Sequence, residues 1–86
     1  MSVELVPIGF NNVVAMSRVL VILVPDSQPV RRMVQEARKV DRVIDATLGR
    51  RTKAVLVLDS GHLVLAALQP ETIVGRFDQR RGADRA

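Results

Sequence analysis

Ala54-Val55-Leu56-Val57-Leu58-Asp59-Ser60-Gly61-His62-Leu63-Val64-Leu65-Ala66-Ala67-Leu68 reads as two apolar strands around a tight turn. Asp, Ser and Gly are turn residues, so a hairpin joins a strand from Lys53 to Leu58 to its return from His62 to Leu68. Apolar side chains fill consecutive positions in both strands, not alternate ones. Strands of that kind are buried on both faces. Two short helices can cover one face, and the expectation is that a second copy of the chain covers the other.

Working outward, Leu5 to Ile8 reads as a strand and Gly9-Phe10-Asn11-Asn12 as a turn. Val13 to Met16 is extended, Ser17-Arg18 interrupts it, and Val19 to Val24 is a β-branched strand. Pro25-Asp26-Ser27 ends that strand and offers a helix cap, with Pro29 in the first helical turn, where proline is tolerated. Val30, Met33, Val34 and Ala37 then make one apolar helix stripe. Arg31, Arg32, Gln35, Glu36, Arg38 and Lys39 fill the rest, read as a solvated face with Arg32 and Glu36 at pairing distance. Val43 and Ile44 are a short extended piece, and Asp45 to Thr52 is a polar, glycine-containing loop.

Gln69-Pro70-Glu71 starts a second helix, with a carboxylate at its positive end and Ile73, Val74 and Phe77 on its apolar side. The fold class is α+β: a small, mostly antiparallel β-sheet with two α-helices. Residues 1–78 read as a single domain, and residues 79–86 as a flexible basic tail without an apolar anchor.

A chain of 86 residues supports one modest core, and small domains often gain stability by oligomerising. No cysteine is present, which excludes disulfides and Cys-ligated metals. Met1 to Leu5 has no basic n-region, and the run Val19 to Val24 is far short of the roughly 20 residues that span a bilayer. A cytoplasmic protein without a membrane partner is expected.

Thirteen Lys plus Arg oppose nine Asp plus Glu, a net charge of +4. Only Lys39 and Lys53 are lysines, so the positive charge is almost all arginine, the cation suited to phosphate and base-edge recognition. A pI near 11.1 agrees with a nucleic-acid partner.

Catalysis finds little support. The single histidine, His62, opens a strand, where a turn role is more common than a catalytic one. Asp45 and Asp59 are two carboxylates without further pattern. There is no metal-ligand spacing and no phosphate-binding glycine motif. We therefore expect no enzyme, no cofactor and no metal.

Gly49-Arg50-Arg51-Thr52-Lys53 is more informative: three cations in a glycine loop between apolar strands. Arg18 lies in a second polar break. Phe10 and Phe77 are the only aromatics, too few for base stacking on single strands or RNA. Two helices far apart in sequence do not make a helix-turn-helix. What remains is loop arginines on the phosphates or in the minor groove of double-stranded DNA, with weak single-subunit contacts multiplied in an oligomer.

Ile8-Gly9-Phe10, Pro25-x-Ser27-x-Pro29-x-Arg31-Arg32, Ile44-Asp45-Ala46-Thr47-x-Gly49-Arg50-Arg51-Thr52, Asp59-Ser60-x-His62 and Gln69-Pro70-Glu71-Thr72 resemble the RemA family over residues 3–77. The resemblance implies a cytoplasmic, non-enzymatic DNA-binding transcriptional regulator of extracellular-matrix (biofilm) genes. It implies a ring-shaped homo-oligomer, and DNA-binding roles for Arg18, Arg50 and Arg51. The sequence departs from the family pattern at Asn11, Ser17, Leu48 and Lys53, which bears on target choice more than on DNA binding. Two other readings stay open: a protein-assembly scaffold whose arginines meet acidic partners, and an RNA-binding ring.

Overall fold

A computed structural model describes the backbone of residues 4–85 and the side chains of residues 4–79. The strands are β1 (Leu5–Gly9), β2 (Asn12–Ala15), β3 (Val19–Leu23), β4 (Val43–Asp45), β5 (Ala54–Leu58) and β6 (Leu63–Ala66). Helix α1 spans Gln28–Lys39 and α2 spans Pro70–Arg85. The expected break at Ser17-Arg18 is a single 3-10 turn, Met16–Arg18.

The strands form two sheets, not one. β1 and β2 make an antiparallel hairpin, and β3-β5-β6-β4 make a four-stranded sheet. Three of the four pairings are antiparallel, while β4 runs parallel to β6. The hairpin between β5 and β6 closes as expected. Gly61 adopts φ +89, its N–H donates to the Leu58 carbonyl at 3.0 Å, and Leu58 N–H donates to the His62 carbonyl at 2.9 Å.

β5 and β6 are buried on both faces, in agreement with their unbroken apolar pattern. On one face Val55, Leu63 and Leu65 meet Val30, Met33, Val34 and Ala37, the stripe of α1. Ser27 caps that helix by accepting from Val30 N–H at 3.4 Å. On the other face Ala54, Leu56, Val64 and Ala66 meet Val6, Ile8 and Val14 of the small hairpin and Ile73 of α2. This corrects the expectation that a second chain covers the second face. The β1–β2 hairpin, which has too few residues to stand alone, uses that face as its own core.

Three further details differ from the sequence reading. Ile73 is fully buried and Phe77 packs on the core, but Val74 is 44% exposed, because residues four apart share a helix face and neighbours do not. Glu36 pairs with Lys39 at 3.3 Å, not with Arg32. The backbone of α2 continues to Arg85, past the boundary at Gln79; arginine, glutamine and alanine there are good helix formers.

Candidate nucleic-acid interface

Thr47 to Arg50 is a tight turn. Arg50 N–H donates to the Thr47 carbonyl at 3.0 Å, and the two central residues, Leu48 and Gly49, have φ +51 and +79. Positive φ at both central positions marks a type I′ turn, which favours glycine at the second. Leu48 bears the steric cost there, about 1–2 kcal/mol. Both ends of the loop are tied to β6: Ala46 N–H donates to the Leu65 carbonyl at 2.9 Å and Lys53 N–H to the Ala66 carbonyl at 2.8 Å. A rigid strand thus holds a strained turn that projects Arg50 and Arg51 outward, both exposed.

The foot of the turn is fixed by Asp45. Its Oδ1 accepts from Thr47 N–H at 2.9 Å and from Thr47 Oγ1 at 2.6 Å, and Thr47 is 2% exposed. These bonds, together with the positive charge of Arg38, hold the Asp45 carboxyl below the usual carboxylate range, against a smaller opposing effect of burial. A depressed folded-state pKa stabilises the fold above the ordinary carboxylate value, and that contribution is lost as pH falls through the lowered one. Thr47→Val deletes the hydroxyl donor and is expected to move the Asp45 titration upward, as followed by NMR of the carboxyl carbon. An unmoved midpoint would show that the Thr47 hydroxyl is not what holds it.

Beside the turn lies an open hollow of about 470 Å³. Phe10, Ala67 and Leu68 form its apolar floor, and Arg50, Arg51 and Lys53 line it with positive charge. The Arg50 guanidinium stands over the Phe10 ring, 5.6 Å from its centroid. Such a cation–π contact orients a guanidinium while leaving its N–H donors free. Among the described residues, neither Arg50 nor Arg51 has a carboxylate within ion-pair distance.

Arg18 is placed differently. Its Nη1 donates to Asp59 Oδ2 at 3.0 Å, and Asp59 N–H donates to the Arg18 carbonyl at 2.8 Å. The register pairs Val19 with Leu58 and Leu23 with Val55. Arg18 therefore sits at the hairpin end of β5, while Arg50 and Arg51 sit at its start. A five-residue strand rises about 17 Å, so one subunit does not bring the three arginines together. His62 belongs to the turn: its Nδ1 lies 2.8 Å from Ser60 Oγ.

Sequence reasoning missed Phe10 and Asp59 as partners of the arginines. Phe10 was legible only as one of two aromatics, set in a Gly-Asn turn. Nothing in the spacing joins Asp59 to a residue 41 positions away. Among the described residues no group of His, Cys, Asp or Glu could hold a metal, and no helix is long and apolar enough to cross a membrane.

Fold and site together define a small α+β domain that projects paired arginines from a braced turn. The chain belongs to the RemA-like family: the family model, described as extracellular matrix regulatory protein A-like, matches residues 5–77. A protein of Dehalococcoides mccartyi is 56% identical over 82 residues, covering 95% of this chain and 85% of that protein. One of Synechococcus elongatus is 55% identical over 82 residues, covering 95% and 94%. One of a Cyanothece species is 51% identical over 77 residues, covering 90% and 85%. All three carry the name "Putative regulatory protein".

Proposed function

We propose that this protein is a non-enzymatic, cytoplasmic DNA-binding transcriptional regulator of extracellular-matrix (biofilm) genes. It acts as a homo-oligomeric ring that contacts double-stranded DNA through Arg18, Arg50 and Arg51. The observation that carries the reading is the braced turn, with two exposed guanidiniums free of carboxylate partners among the described residues. Family membership and the regulatory names of the relatives support the regulatory role.

Support for assembly comes from the sheet edges. β3 and β4 are its outer strands. Leu20 on β3 is 70% exposed, and Val21 and Ile44 are also exposed. Open edges with apolar side chains invite pairing with another chain. Two different edges meeting head to tail generate rings when the rotation closes. Repetition around the ring, not proximity within one chain, then multiplies the arginine contacts.

The test is duplex-DNA binding at two salt concentrations, with double-stranded RNA as competitor and the mass of the protein recorded. Each phosphate neutralised contributes roughly 0.9 to the log–log salt slope. Preferential duplex-DNA binding with a steep slope, by a species of several subunits, is the expected result. Salt-insensitive binding, or preference for RNA, would overturn the reading.

Asp59 tunes this interface. An exposed ion pair is worth about 0–1 kcal/mol, so a phosphate can displace the Asp59 carboxylate from Arg18. Asp59→Asn removes the competitor. Binding to random-sequence duplex is expected to tighten, and the salt slope to steepen by up to about 0.9 per engaged subunit. Weaker binding by this variant would instead make Asp59 a support that Arg18 needs.

A further inference from the structure

We infer that a second row of phosphate contacts runs along α1 through Arg31, Gln35 and Arg38, and that it continues the arginine turn as one track for duplex DNA. The inference rests on the DNA-binding reading above and extends it to a surface outside the turn.

Arg31, Gln35 and Arg38 stand at i, i+4 and i+7, on one helical stripe. They line a hollow of about 240 Å³ whose floor includes Val34, Val55 and Leu65. All three are hydrogen-bond donors, and none of the residues lining this hollow is a carboxylate. The helix's only acid, Glu36, is engaged by Lys39 at 3.3 Å. Asp45, the carboxylate that feels the charge of Arg38, already has its Oδ1 held by Thr47.

The hollow is continuous with the turn. A smaller depression of about 160 Å³, lined by Arg51 and Lys53, shares Pro25 and Thr52 with it. Four cations thus border one connected surface, against a single carboxylate, Asp26. Low-dielectric walls such as Val55 and Leu65, 0% and 2% exposed, focus a positive field outward.

Spacing suits a nucleic-acid backbone. Seven helical residues rise about 10.5 Å from Arg31 to Arg38. Two long side chains set that far apart can each reach a separate phosphate, with Gln35 between them as a neutral donor.

The experiment uses the full chain and a random-sequence duplex at about 50 and 200 mM salt, with subunit number measured for every variant. Arg31→Ala/Arg38→Ala is expected to lower the salt slope by about 1.8 per engaged subunit, with unchanged mass. Arg31→Lys/Arg38→Lys is expected to keep most of the slope, because lysine still neutralises a phosphate. Arg32→Ala, exposed on the same helix but off the stripe, is expected to leave it unchanged. If the alanine pair keeps the wild-type slope while Arg50→Ala/Arg51→Ala loses it, the α1 row is a solvated face and the DNA-binding reading stands. If neither pair alters the slope, both fall. A changed subunit number in Arg31→Ala/Arg38→Ala places the row between copies and overturns it.

Discussion

Replacing Arg50 and Arg51 together by alanine is expected to weaken duplex-DNA binding about a hundredfold per engaged subunit at low salt and to leave the subunit number unchanged. Both side chains are exposed and lack carboxylate partners among the described residues, so their full charge is available to phosphates. A hydrogen bond to a charged group contributes roughly 1.5 kcal/mol, and about 1.4 kcal/mol is a factor of ten. Two such contacts give the hundredfold. The salt slope is expected to fall by about 1.8 per engaged subunit. Neither residue belongs to a core cluster, so folding is not at stake. Lysine at both positions should retain the slope but recover only part of the affinity, because it lacks the planar fork of arginine. Equal binding by the alanine variant and wild type would reject the turn as a DNA contact and bring the protein-assembly scaffold forward.

Ile73→Ala is expected to cost about 3 kcal/mol of stability, while Val74→Ala costs less than about 0.5 kcal/mol. Ile73 is 0% exposed and packs with Leu56, Val6 and Ile8, whereas its neighbour Val74 is 44% exposed. Removing Ile73 leaves a cavity between α2 and the sheet. For a domain of this size about 1 kcal/mol moves Tm by roughly 4–8 °C, so the Ile73 variant should melt some 12–24 °C lower. The measurement is thermal unfolding of both variants at one protein concentration, because assembly makes Tm concentration-dependent. Similar melting of the two variants would mean that α2 does not cover the sheet, and would restore the idea that a second copy does.

This pair of residues also marks the limit of periodicity. Ile73, Val74 and Phe77 are equally apolar in sequence, and only docking on β1 decides which of them turn inward. Arg76 fixes that docking by donating from Nη1 to the Pro7 carbonyl at 3.1 Å, across 69 positions. Long-range contacts of this kind leave no trace in local spacing.

The sequence by itself determined the local elements. β-Branched runs made the strands, Ser27 and Pro29 started α1, and Asp59-Ser60-Gly61 closed the hairpin, because each rests on backbone and side-chain preferences within a few residues. It also marked the arginine turn, since a glycine among cations between apolar strands is legible without a fold. Tertiary structure alone decided the separate β1–β2 sheet, the parallel pairing of β4, and the covering of both sheet faces within one chain. It alone set Arg18 against Asp59, at the far end of β5 from Arg50 and Arg51. The physical reason is common to all of these. Burial and ion pairing depend on which distant segments meet, and that follows from closing the whole core, not from any window of the chain.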